Sequence, residues 1–364
     1  MAALVAGLTL AGCGDSTRSA TEQPAEAPPA AANAAGASPI TSAEPTAAPA
    51  PVTLAFAGDV HFEDDVRTRL ADPATTLAPI ADVLSAADLT VVNLETAITE
   101  RGTPEPKTYT FRVGPVALDA LAAAGVDVVT MANNHAVDYG RDGLTDTLAA
   151  VESIPLPVVG IGADEEQAFA PAVLDVRGTT VAVLGATDVP DRTAAAWSAG
   201  PGSPGVASAR DPARLLRAVS KAADSADVVV VYLHYGEERV SCPTNEQRDL
   251  VSALAAAGAD VIVGSHAHVL LGAGWLGATY VSYGLGNFVW YTPNSTAEAT
   301  SGVLTLSLRH GAVVDDDWAP TFTGQDGMPR LVTGADAKQA VAEWAALRDC
   351  TDLSGRLDGA EAMG

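Results

Sequence analysis

Residues 121–135, LAAAGVDVVTMANNH, and residues 254–268, LAAAGADVIVGSHAH, align position for position in this 364-residue chain. Each reads as the end of a helix, a glycine that stops it, an apolar strand, and then a cluster of Asn or His. No other feature limits the fold as tightly, because a helix returning through a tight turn to a continuous apolar strand is the repeating unit of sheets buried on both faces. Three further apolar runs finish the same way. VTLAFAGDVHF, from Val52, ends in Asp59 and His61; ADLTVVNLET runs from Leu89 to Val92 and on to Asn93 and Glu95; ADVVVVYLHYGEE delivers His234, Glu237 and Glu238. Helices are predicted over 211–223 and 245–257, and AVLDVRGTTVAVLGAT reads as a hairpin turning at Arg177-Gly178. The fold class is therefore α/β and layered, with buried strands covered by helices on both faces. In such sheets ligands bind beyond the carboxyl ends of the strands, where five separate strands here place Asp, Glu, Asn or His.

Composition narrows the partners. The chain is 48% hydrophobic, enough for a large core, which excludes a disordered or fibrous protein. Its 45 Asp and Glu against 20 Lys and Arg leave a net charge of −25. Phosphate backbones would be repelled, so nucleic acid is not an expected partner.

The first residues read differently from the rest. MAALVAGLTLAGC, residues 1–13, is an apolar segment too short to span a bilayer as a helix. It stops at Leu10-Ala11-Gly12-Cys13, which resembles a bacterial lipobox. That resemblance implies a lipoprotein signal peptide, lipid on Cys13, and residence on the extracellular face of the bacterial cell membrane. Residues 14–51 shift to Ala, Pro, Thr, Ser and Glu with no periodic apolar face, as a flexible stalk does, and a chain of that length reaches roughly 35 Å. The folded domain is expected over 52–310, with 311–364 as a C-terminal extension packed on it. With Cys13 lipidated, Cys242 and Cys350 remain as an even pair in a compartment that permits disulfides. The sequence leaves a bridge and two free thiols both open.

The order Asp-x-His, Glu, Asn-His, a lone His and His-x-His resembles the metallophosphoesterase pattern. Closer still, NLE, ANNHAVDYG, HYGEE, GADVIVGSHAH and YGLGNF resemble the CapA family of poly-γ-glutamate capsule synthesis proteins, from Val52 to Trp290. That resemblance implies a metallophosphatase-like fold, β-sheets flanked by helices, holding two divalent transition metal ions. It places Asp59, His61 and His268 on one ion, Asn134, His234 and His266 on the other, and Glu95 between them. His135 would hold no metal and face the substrate as a proton donor.

The chemistry asks for these residue types. Two cations roughly 3.5–4 Å apart lower the pKa of water and clamp the attacking and leaving oxygens of a displacement at phosphorus. A bridging carboxylate offsets their charge. Imidazoles two apart at a strand end point to one face, so His266 and His268 can serve different ions. Mixed N and O ligands suit zinc, iron and manganese alike. Asp138 is expected to orient the loop around His135.

EPKTYTFRVG reads as a strand-like stretch that brings Lys107, Tyr109 and Arg112 to the substrate, with a solvated strand as the alternative. Glu237, Glu238 and Asn287 are further substrate-binding candidates. Three functions are compatible with these residues. The first is a surface protein acting on, or helping export, an anionic polymer such as poly-γ-glutamate, alongside capsule-synthesis membrane proteins. The second is an extracellular metallophosphoesterase with a phosphoester substrate and no capsule role. The third is a non-enzymatic polymer-binding module, against which the presence of all seven ligands counts.

Overall fold

Each apolar run becomes a strand, and the strands assort into two large sheets. The computed structural model describes residues 50–291 and 293–357, apart from the side chains of 193 and 194. The signal-peptide reading, Cys13 and nearly all of the stalk lie outside the described residues. In the first sheet Val52–Val60 is central. It pairs in parallel with Leu89–Leu94, that strand with Val128–Thr130, and that in turn with Val158–Val159. On its other side Thr300–Arg309, Ala312–Thr323 and Pro329–Leu331 follow antiparallel, and Asn287–Val289 joins its carboxyl end. The second sheet orders Ala273–Leu276, Thr279–Ser282, Val261–His266, Val228–Tyr235, Thr179–Thr187 and Ala172–Val176, parallel at the centre with antiparallel edges.

Alternation along the strands builds the layers. Leu54 and Phe56 share a core with Val183, Val230, Tyr232 and Val263 of the second sheet. Their neighbours Ala55 and Ala57 belong to a separate core with Leu118, Leu121 and Leu144. On the far side, Val229, Val231 and Leu233 pack with Leu215, Val219, Leu250 and Leu254 from the helices Ala213–Ala223 and Asn245–Ala256. The order is helix, sheet, sheet, helix. This corrects the expected cover of helices on both faces: the strands are buried on both faces, but one cover is the opposite sheet. An apolar strand face is satisfied by either, and a run of Val and Ile does not say which. Where the sheets meet, the Tyr232 hydroxyl donates to the Ala57 carbonyl across the interface (2.7 Å).

The two aligned segments occupy equivalent places, one in each sheet. Helix Val116–Ala123 stops at Gly125 (φ 89°) and Asn245–Ala256 at Gly258 (φ 103°). The Val126 N–H then returns to the Leu121 carbonyl (3.1 Å) and the Ala259 N–H to the Leu254 carbonyl (3.0 Å), the closing bond of a left-handed glycine cap. An aspartate follows at each. Asp127 donates its N–H to the Thr90 carbonyl (2.9 Å) and accepts the Thr90 N–H on its carboxylate (2.8 Å). Asp260 makes the same pair of bonds with Val229, at 2.9 and 2.8 Å. Asp88 with Thr53 and Asp227 with Thr180 repeat the device. These four clamps fix how neighbouring strands enter the sheets, and so where their carboxyl ends emerge.

The expected hairpin forms between Ala172–Val176 and Thr179–Thr187, with Arg177 and Gly178 at φ 54° and 84°, as a two-residue hairpin loop requires. The hairpin of Thr300–Arg309 with Ala312–Thr323 runs across position 310, so the first sheet continues into the C-terminal residues. Helix Gly334–Ala346 then stacks Trp344 on Trp318, ring centroids 4.8 Å apart. Cys242 and Cys350 are disulfide-bonded, their Cα atoms 5.7 Å apart. Among the described residues no helix is long and apolar enough to cross a membrane.

Candidate metal centre

The carboxyl ends of five strands meet at one edge of the sandwich. Gly58 permits the closest approach: a Cβ there would lie 1.9 Å from the Gly286 carbonyl oxygen. Glycine alone lets the next N–H, that of Asp59, bond to that same carbonyl (2.9 Å). Asp59 is fully buried. Its Oδ1 accepts from Asn93 Nδ2 (2.7 Å), its Oδ2 accepts the His266 backbone N–H (2.9 Å), and His234 Nδ1 lies 3.5 Å away. Burial by itself would raise the Asp59 pKa, but the bond to His234 and the charges of His234 and His268 hold it well below the usual carboxylate range.

Glu95 stands opposite, also fully buried, with His234 Nε2 3.5 Å and His135 Nε2 3.7 Å from its Oε1. His234 Nε2 is 2.8 Å from Asn134 Oδ1 and its Nδ1 3.1 Å from Ser265 Oγ. Burial disfavours charge on His234, yet Glu95 and Asp59 outweigh it and raise its pKa to about 9. An imidazolium therefore offsets the two buried carboxylates, and an entering cation competes with that proton. Burial pushes His61 and His266 the other way, well below the ordinary histidine range, so both are neutral, as metal ligands must be.

The seven residues expected as ligands thus lie together. Two closely spaced sets stand out: Glu95, His234 and His266, and Asp59, Glu95 and His268, whose donor atoms lie within 4.8 Å of one another in each set. Glu95 is common to both. His61 sits beside them, stacked on Phe111 (4.7 Å) and edge-on to Trp290 (4.2 Å). Its Nε2, His266 Nδ1 and both Glu95 oxygens are buried without a hydrogen-bond partner. A polar atom left in that state costs about 1–3 kcal/mol. Four such atoms on three residues of the cluster fit divalent cations.

The His-x-His pair converges for a different reason from the one expected. The strand ends at His266, and both residues are in the left-handed region, His266 at φ 91° and His268 at φ 58°. The alternation of an extended strand therefore does not aim them; a strained turn does, of the kind stored at functional sites. Asn287, expected at the substrate, lines the cleft over the centre but is itself fully buried. Its Nδ2 is committed to the Glu298 carbonyl (3.2 Å), which leaves Oδ1 to accept from His268 Nδ1 (2.8 Å) and orient that ring.

His135 Nδ1 donates to Asp138 Oδ2 (2.6 Å), which also accepts the Phe111 N–H (2.7 Å), and the His135 ring stacks on Phe111 (4.2 Å). Asp138 thus bonds both the His135 ring and the Phe111 backbone. Lys107, expected at the substrate, is turned inward: its Nζ lies 2.8 Å from Asp138 Oδ1 and donates to the Asn134 carbonyl (2.7 Å). Arg112 lies over the Tyr139 ring (4.7 Å) in a different cleft, and Glu237 is exposed. In the 105–114 stretch only Arg112–Val113 pairs as strand, so the strand alternation assumed for it does not hold. Tyr109 and Glu238 do line the cleft over the centre, with His135 and His268.

Sequence reasoning missed the amides that tie the strand ends together. Asn133 Nδ2 donates to Asn93 Oδ1 (3.0 Å) and to the Leu94 carbonyl (2.8 Å), while its Oδ1 accepts the His135 N–H (3.0 Å). Their position at strand ends was the available signal. Phe111, Trp290 and Tyr291, packed around His61, gave none.

Fold and site together define a layered α/β protein with a buried acid and histidine cluster suited to divalent metal ions. The chain belongs to the bacterial capsule synthesis protein PGA_cap family, whose model matches residues 53–292. It is 37% identical to the capsule biosynthesis protein CapA of Bacillus anthracis over 226 residues, 61% of this chain and 54% of that one. With the PGA biosynthesis protein CapA of Bacillus subtilis (strain 168) it shares 35% identity over 248 residues, 66% and 63% of the two chains. The chain thus spans between half and two thirds of these relatives. A solved structure of a novel phosphatase from Mycoplasma pneumoniae aligns with a TM-score of 0.47 at 14% identity, over 74% of this chain and 93% of that one.

Proposed function

We propose that this chain is a two-metal phosphoesterase of the bacterial cell surface, serving synthesis or export of an anionic capsule polymer such as poly-γ-glutamate. The observation that carries the metal reading is Glu95: a fully buried carboxylate, both oxygens without a hydrogen-bond partner, shared by two ligand sets. Asp59, His61 and His268 would hold one ion, Asn134, His234 and His266 the other, with zinc, manganese and iron all compatible. Such ions supply activation of water and neutralisation of phosphoryl charge. The protein's own part is to exclude bulk water, orient His268 through Asn287, and hold His135 by Nδ1 so that its Nε2 faces the centre. A proton on that nitrogen can pass to the leaving oxygen. The polymer role rests on the names of the two CapA relatives, and the surface location on the lipobox-like stretch at Cys13.

The test uses the full chain loaded with Mn²⁺ or Zn²⁺. Bound metal is counted by elemental analysis, and phosphomonoesters and phosphodiesters are assayed. Glu95→Gln keeps the volume and removes the charge, so metal content should fall below two ions per chain. A variant holding both ions at wild-type affinity removes the bridge; a loaded wild type inert on every phosphoester removes the hydrolase.

A further inference from the structure

We propose that the cleft over the metal centre takes a phosphoester whose organic arm presents a flat or apolar ring, and that a run of carboxylates is not its ligand. The inference rests on the phosphoesterase reading above and narrows its substrate. The cleft has a volume of about 250 Å³. Tyr109, Phe111, Trp290 and Tyr291 line it, in a chain with only six Phe, five Trp and seven Tyr. The rings stand directly on residues of the centre: Phe111 lies between His61 (4.7 Å) and His135 (4.2 Å), and Trp290 is 4.7 Å from His268. Tyr109, at the rim, is 60% exposed, one of the few large apolar side chains left in water among the described residues.

The charges point the same way. Arg239 is the one Lys or Arg among the lining residues, and its Nε already donates to the buried Glu298 carboxylate (2.6 Å), with Glu238 3.8 Å from Nη1. Lys107 and Arg112, the other cations near in sequence, are held by Asp138 and by Tyr139. Bound metal ions would attract one phosphoryl group. The adjoining carboxylates of a polyanion would then meet Glu238 and Glu298 on a chain whose net charge is −25. Ring faces stack on nucleobases and on the apolar faces of sugars, so the shared chemistry is a ring beside a phosphoester.

Calorimetric titration of the metal-loaded full chain tests this without relying on turnover. The ligands are adenosine 5′-monophosphate, glucose 1-phosphate, glycerol 3-phosphate and a γ-linked glutamate oligomer. At least one ring-bearing ester should bind more tightly than glycerol 3-phosphate and than the oligomer, and which one leads tells nucleoside from glycosyl arm. Tyr109→Ala should weaken that ligand roughly 2- to 12-fold, with Tyr109→Phe restoring most of the loss. An oligomer that binds more tightly than both ring-bearing esters overturns the inference, as does a Tyr109→Ala chain with unchanged Kd. Ring-selective binding without phosphate release would instead fault the hydrolase reading and leave the binding site standing.

Discussion

Asn134 and His135 are neighbours with separate tasks. Asn134 turns its side-chain amide oxygen to His234 (2.8 Å), while His135 is held from behind by Asp138 (2.6 Å) and flat against Phe111. On the proposed function a ring so tethered would support turnover without completing a ligand set. His135→Ala should therefore keep its metal content, as elemental analysis would show, and lose about 10²–10⁴-fold in kcat. Loss of an ion from that variant would make His135 a ligand. At this scale the sequence was most legible where function demands residue types that packing does not: Asp, Glu and His closing apolar strands have no core role. It was least legible for Lys107, whose inward turn depends on where Asp138 lies three-dimensionally, and for Asn287, whose partner His268 is set by a left-handed turn that no residue type announces.

The aspartate clamps carry the next scale. Each leaves a strand N–H dependent on one carboxylate, and that of Val229, with Asp260, is buried on a strand paired on both sides. Burial raises the Asp260 pKa while the Val229 N–H opposes it. Asp260→Ala removes the acceptor and should cost about 1–3 kcal/mol in urea unfolding at an unchanged m-value. A loss under roughly 0.5 kcal/mol, the range of an ordinary surface substitution, would show that the N–H finds another acceptor. The clamps were written in the sequence as the Asp preceding four apolar runs. So were the strands and the helices Ala213–Ala223 and Asn245–Ala256, because period and glycine stops are local signals. The pairing of sheet against sheet was not, since it depends on which of two equally apolar faces meets which. The strands after Thr300 escaped as well: Ala312–Thr323 carries Asp315, Asp316 and Asp317 on a partly exposed edge and so lacks the apolar run that marked the others.

For the molecule as a whole, the proposed surface location would tether a chain of net charge −25 to a membrane that shares its sign. Cys13→Ala should shift the protein from the membrane to the soluble fraction on centrifugation of lysed cells, while its metal content stays as in wild type. Unchanged fractionation would mean that something other than Cys13 holds it there.

The Cys242–Cys350 bond, spanning 108 positions, restrains the unfolded chain by about 4–5 kcal/mol on the entropy model. It also divides the candidate metal centre by connectivity. His266, His268 and Asn287 lie inside the macrocycle that the bond closes, whereas Asp59, His61, Glu95, Asn134 and His234 lie on the open thread before it. A protease nicking the exposed 294–297 segment cuts a ring, and both pieces remain one molecule until a reductant arrives. A cut between Glu95 and Asn134 divides the thread itself, and nothing covalent then joins one half of the centre to the other.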